Sequence, residues 1–218
     1  MFYNYKKFLS FKVLAICDAF YRFTWVNIGD FGTSSDLSTF RETQLYHALE
    51  NNEVDLPEAS NLPRTNIRMP YFFIGDAIFD MKPYFMIPYN RNVHLTPEEI
   101  TFNRRLFRAR NCIEDAFGIR GNKFQVLNDR LDFSLKHSIS IIQALVCLHN
   151  FVRTYELMNP PENKRYNVPV RVAEGDGAIR AARNRNVQNE YVGPDDVYQR
   201  RDTLAAYFSS PEGVLRYL

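Results

Sequence analysis

Residues 71–80 read YFFIGDAIFD, an aromatic and β-branched run that breaks at Gly75-Asp76 and leaves a carboxylate just beyond its end. A strand with one wet face alternates apolar and polar residues, so a run this continuously apolar over 71–75 predicts a strand inside a sheet covered on both sides. In α/β sheets, functional groups collect outside the C-terminal ends of central strands, which places Asp76 for a site by position alone. The plain alternative is that Asp76 opens the turn after the strand, a common use of Asp.

Upstream, FLSFKVLAIC (8–17) and FTWVNIG (23–29) are β-rich runs joined by five residues, which predicts an antiparallel hairpin with Asp18 in its turn and Trp25 in the core. In GTSSD (32–36), Ser34, Ser35 and Asp36 are candidate N-caps for one helix reaching about Asn51, with Leu37, Phe40, Leu45 and Leu49 on its apolar face. A polar, proline-punctuated loop spans 52–70.

Downstream, prolines at 83 and 88 exclude one uninterrupted helix over 80–92. Thr96-Pro97-Glu98-Glu99 then reads as a helix start, with an N-cap, a first-turn proline and two acids. Phe102, Leu106, Ala109, Ile113 and Phe117 recur at steps of three or four, so they share a buried stripe, and Gly118 is expected to end it. A second long helix is expected over 134–157, with Leu135, Ile139, Ile142, Leu145 or Val146, and Val152 on one face, His149 as a hydrogen-bonded core residue and Asn159-Pro160-Pro161 as its stop. Residues 159–195 read as a flexible linker in which 178–185 can form a short basic helix, and 196–218 as a C-terminal helical tail.

The 218 residues are 45% hydrophobic and 15% aromatic, a globular composition that excludes disorder as the overall state. A net charge of only +2 calls for no nucleic-acid partner by itself, so any such argument has to come from local clusters. Three cysteines with no CxxC pair fit a reduced compartment, cytosol or nucleus. Lys12 interrupts the apolar run near the N-terminus and Asp18 closes it, which favours a strand over a signal peptide. No run approaches the roughly 20 apolar residues that span a bilayer, so no membrane partner is expected.

Three carboxylates stand out by context: Asp36 at a helix start, Asp76 at a strand tip and Glu114 midway along a long helix. Converging carboxylates suit hard divalent cations, and two such ions can clamp the attacking and leaving oxygens of a phosphodiester. Each acid also has an ordinary reading: Asp36 as an N-cap, Asp76 as a turn opener, and Glu114 as an ion-pair partner of Arg110 one turn earlier.

The words FYNYKKFLSFKVLAICDAFYRFTWVNIGDFGTSSD, YFFIGDAIFDMKPYFMIPY, FNRRLFRARNCIEDAFGIRGNKFQVL and ALVCLHNFVR, in this order from about Tyr3 to Arg153, resemble the nuclease domain of PIF/Harbinger-type transposases and the host proteins derived from them. The closing AAYFSSPEG also looks like the tail of insect-type members. The resemblance implies an α/β, RNase H-like mixed sheet flanked by helices, dependence on Mg²⁺ or Mn²⁺, and cleavage of DNA in the nucleus by water or a strand 3′-hydroxyl. By position, Asp76 matches the family's acid after its fourth strand, in the word GD. Glu114 matches the helix acid in RxxIExxFG (110–118), and Asp36 matches the acid ending the GSxxD-like word, an extra metal contact. Asp18 corresponds to a frequent residue to which only a turn role is assigned.

The resemblance also implies a first catalytic acid, usually Asp-Gly, on a strand some tens of residues ahead of the YxNxKxxxS-like word, and an upstream helix-turn-helix-like region. The 218 residues contain neither. The expectation is therefore a truncated nuclease domain over 1–158 that lacks its first strand and is impaired in catalysis; a catalytically inactive DNA- or protein-binding scaffold is the alternative. Arg104, Arg105, Arg108 and Arg110 crowd the first half of the Glu114 helix, with Arg120 and Lys123 beyond. Of these, Arg104, Arg105, Arg108, Arg120 and Lys123 are taken as candidate phosphate contacts, the alternative being a solvated helix face. A separate DNA-binding partner protein and assembly with copies of the same chain are both left open.

Overall fold

The computed structural model describes residues 10–91, 93–124, 126, 131, 133–159 and 197–214. The linker expected at 159–195 with its basic segment, the word YNYKK, and the side chains of Arg120 and Lys123 lie outside the described residues. The chain forms two compact units, one from Met1–Thr43 with Asn111–Val172 and one from Gln44–Arg110 with Ala173–Leu218. The architecture is mixed α/β with three two-stranded sheets among the described residues.

The first unit is built on a hairpin. Strand β1 (Phe11–Cys17) pairs antiparallel with β2 (Phe23–Phe31), with register shifts between Lys12 and Val13 and between Ile16 and Cys17. Because side chains alternate, Phe11, Val13, Ala15 and Cys17 share a face. They pack with Phe23, Val26 and Ile28 against Ile113, Ala116 and Phe117 of helix α3 (Pro97–Lys123) and Ile142 and Val146 of helix α4 (Leu135–Met158). Gly29 sits at φ +116°, and a Cβ there would lie 2.8 Å from the Ile139 side chain, so glycine both turns β2 and lets α4 approach it. Trp25 is half-buried on the other face, edge-on to Phe40.

The turn of the hairpin is gripped by α4. The Asn150 amide accepts from the Phe23 N–H at 2.8 Å and donates to the Phe23 carbonyl at 2.7 Å, as a neighbouring strand would. His149, buried as expected, bonds the Tyr21 carbonyl through Nε2 at 2.6 Å and packs its ring at a tilt against Phe23. Arg153 donates to the Phe20 carbonyl and pairs with Glu156 at 2.8 Å, both nearly buried. The word LHNFVR is thus a clamp whose polar side chains satisfy the turn's backbone groups.

Helix α1 (Asp36–Arg41) is capped by Ser35, whose hydroxyl accepts from the Ser38 N–H. The single helix expected here is broken. The Phe40 carbonyl takes both the N–H and the hydroxyl of Thr43, three residues on, so the chain tightens and stops before α2 (Gln44–Glu50) begins in the second unit.

In the second unit, β3 (Ser60–Asn61) pairs antiparallel with β4 (Arg68–Met69), and β5 (Phe73–Ile74) pairs parallel with β6 (Phe85–Met86). The expectation of a strand over 71–75 inside a covered sheet is corrected to this two-residue pairing, with Phe73 and Ile74 only half-buried. Its apolar run instead feeds a core of Met69, Met86, Tyr89, Phe102, Leu106, Leu204 and Ala205, backed by Phe72 and Ile74. Leu204 and Ala205 come from helix α5 (Val197–Ser209), so the expected C-terminal helix is part of this core. The Asn103 amide clamps both backbone groups of Tyr89, and the Tyr89 hydroxyl donates to Asp202 at 2.6 Å.

Helix α3 starts with a reciprocal capping box: the Thr96 N–H donates to Glu99 at 2.8 Å and the Glu99 N–H to the Thr96 hydroxyl at 3.3 Å. It does not end at Gly118. A Cβ at that glycine would meet nothing within 4 Å, so Gly118 is an exposed interior position whose cost of about 1 kcal/mol the helix absorbs.

Candidate functional site

Asp76 lies just past β5, separated from it by Gly75, and the backbone around it is tightly held. The Gly75 N–H donates to the Met86 carbonyl at 3.0 Å, and the Phe79 N–H donates to the Asp76 carbonyl at 3.1 Å, closing a turn. Asp76 Oδ1 accepts from the Ala77 N–H at 2.7 Å, whereas Oδ2 takes no hydrogen bond among the described residues. Asp76 therefore does open a turn, and one oxygen stays available beyond that role. Gly75 is required by close approach: a Cβ would lie 2.2 Å from the Phe85 ring, which also packs against Phe79 at 5.2 Å.

The far end of that loop is fixed by an acid that sequence reasoning did not single out. Glu50 accepts from the Tyr84 hydroxyl and from Lys82 Nζ at 3.0 Å. Burial raises the Glu50 carboxyl, but the hydrogen bonds from Tyr84 and Lys82 outweigh it and hold the group below the usual carboxylate range. Burial and the Glu50 hydrogen bond push the Tyr84 hydroxyl up, so it stays a donor.

Asp36 is the first residue of α1, one position inside the Ser35 cap. Its carboxylate forms an ion pair with Lys12 of β1, whose side chain is 19% exposed against 49% for Asp36. Lys12 lies at a bulge, opposite Asp30 in register. The sign of this pair in the sequence is the lysine that interrupts the apolar run FLSFKVLAIC. Glu114 lies on α3 and is exposed. Asp18 holds the turn role expected of it, accepting from the Phe20 and Arg22 N–H groups at 2.9 Å and pairing with the Arg22 guanidinium at 2.7 Å. Burial raises the Asp18 carboxyl and these bonds lower it further, leaving it below its ordinary value.

Asp36 and Glu114 belong to the first unit and Asp76 to the second. Among the described residues no three His, Cys, Asp or Glu side chains are gathered as a metal cluster. The donor chemistry nevertheless suits a hard cation, because all three are carboxylates, Glu114 is exposed and Asp76 keeps Oδ2. Asp36 is the poorer fit, since the Lys12 ammonium already neutralises it.

The arginines differ in what they do. Arg104 and Arg108 are exposed on α3. Arg105 donates to the Gly213 carbonyl at 2.7 Å and lies 4.6 Å over the Phe208 ring, so it fastens α3 to the end of α5. Arg110 lies over Phe107. All three cysteines are free thiols, and burial with the nearby Cys112 and Asp18 pushes Cys17 up to about 12, far from a reactive thiolate. Among the described residues no helix is long and apolar enough to cross a membrane.

A mixed α/β protein that carries acids at a strand end and on two helices falls in the range of acid-based nucleases, and comparison with family models places it. The model described as DDE superfamily endonuclease matches residues 1–150, most of the chain. The chain belongs to that family, and the match includes Asp36, Asp76 and Glu114. Neither the curated proteins nor the solved structures yield a match.

Proposed function

We propose that the chain is a transposase-derived endonuclease domain of the PIF/Harbinger type, RNase H-like in fold, that acts on DNA phosphodiesters in the nucleus. The observation that supports this most is the family match over residues 1–150, which spans every candidate acid. Asp76 and Glu114 are the residues that would hold Mg²⁺ or Mn²⁺, with Asp36 as an auxiliary contact. Bound ions would activate the attacking oxygen and stabilise the leaving one. Arg104 and Arg108 would meet backbone phosphates, with Arg120 and Lys123 extending the track, while Arg105 contributes through its hold on α5.

The 218 residues hold no acid matching the family's first-strand position, and by themselves are expected to cleave little or no DNA. Incubating supercoiled plasmid with the chain in Mn²⁺ tests this. Clear nicking that Glu114→Gln abolishes would overturn the expected impairment. The second reading, a catalytically inactive scaffold that binds DNA or protein, is favoured by the Lys12–Asp36 ion pair, in which an ammonium already neutralises the auxiliary acid. DNA retention without metal uptake is its signature.

A further inference from the structure

Helix α4 buries one face against the hairpin, and its other face is unusual. Leu148, Phe151, Tyr155 and Met158 are 45%, 69%, 62% and 78% exposed. With the exposed Ala144 they fall at steps of four, three, four and three, the spacing of a coiled-coil seam. Between 138 and 159 the only charged residues are Arg153 and Glu156, and these pair with each other while nearly buried. The outward face of this stretch therefore carries no charge, unlike a helix face built for water. Absence of basic residues also excludes phosphates and lipid headgroups as what it meets, since both are recognised through Lys and Arg.

We propose that the outward face of α4 is an interface between two copies of this chain, with Leu148, Phe151, Tyr155 and Met158 packing on the same residues of the second copy about a twofold axis. A seam spaced at 3.5 residues is complementary to itself, and uncharged flanks such as Leu145, Val152 and Thr154 present no repulsion to a copy. Taking about 200 Å² for each large side chain, the four expose on the order of 500 Å² per copy. Two copies then bury about 1,000 Å², at the lower limit of a specific interface, so the dimer is weak and forms with rising concentration. This assembly does not depend on the nuclease reading.

Sedimentation equilibrium of the full chain from about 1 to about 100 μM tests it. The wild type dimerises with concentration, Phe151→Glu stays monomeric with an unchanged melt, and Val93→Glu, on an exposed residue elsewhere, still dimerises. A second readout needs no variant: Cys147, exposed and one turn before Phe151, is labelled by a thiol reagent more slowly at high protein concentration, with added free glutathione as the reference thiol. A wild type monomeric throughout, a dimer that survives Phe151→Glu, or Cys147 labelling independent of concentration would each overturn the proposal.

Discussion

Replacing Asn150 with Ala removes both hydrogen bonds that α4 gives to Phe23, a residue only 5% exposed. Phe23 and Cys17 are Cα partners across the hairpin, and the Asn150 amide bonds both the backbone N–H and the C=O of Phe23. Alanine offers neither donor nor acceptor, so two backbone groups each lose the Asn150 hydrogen bond beside the Phe23–Phe117–His149 ring cluster. Leaving a buried polar group unsatisfied costs about 1–3 kcal/mol, and partial access of water at the turn keeps the sum near 2–4 kcal/mol. Urea unfolding followed by fluorescence should show a lower midpoint with an unchanged slope. Asn150→Asp discriminates further. It keeps an acceptor for the N–H but sets a carboxylate oxygen against the Phe23 carbonyl, which raises its folded pKa. The stability of that variant is therefore greatest below the ordinary Asp range and falls as pH rises through the raised value. A loss below about 0.5 kcal/mol for Asn150→Ala would refute the clamp as a source of stability.

Gly75→Ala drives a methyl into the buried Phe85 ring and is expected to cost about 1–3 kcal/mol, with the penalty partly relieved when Phe85 is shortened to Leu in a double-mutant cycle. Lys12→Ala frees the Asp36 carboxylate and should raise Mn²⁺ affinity about fivefold, near 1 kcal/mol for one half-exposed charge, in calorimetric titration; unchanged affinity would remove Asp36 from the ligand set. Asp18 has a lowered folded pKa, so its stabilisation is present above the unfolded carboxylate range and lost as pH falls through the folded value. Acid unfolding of Asp18→Asn should accordingly be shallower than that of the wild type.

Local signals carried much of the fold. Thr96 to Glu99 announced α3 because capping depends on neighbours in sequence, and Ser134 capped α4 for the same reason, accepting from the His137 N–H. Gly118 misled because an exposed helix interior tolerates a glycine that a sequence pattern takes for a stop. The strand at 71–75 misled because apolar continuity reports burial without saying how much of that burial comes from sheet pairing. For α4, the periodicity puts Leu135 on the buried stripe, yet it is 38% exposed, and nothing local distinguishes the face that meets the hairpin from the one that carries Phe151 and Tyr155. Within the candidate site, the three acids were legible from context and from family words. The ion pair on Asp36, the Glu50 anchor of the loop and the two asparagine clamps were not, because each joins residues from 14 to 127 positions apart.

If Asp76 and Glu114 hold a divalent cation, Mn²⁺ binding by the full chain and by Asp76→Asn and Glu114→Gln, read by titration and by melting, shows it most directly. The expected result is saturable uptake that stabilises the wild type, by about 1.4 kcal/mol at ten times Kd, and is lost in both variants while their metal-free melts stay unchanged. Uptake that persists unaltered in both variants, or a wild-type melt indifferent to Mn²⁺, would contradict it.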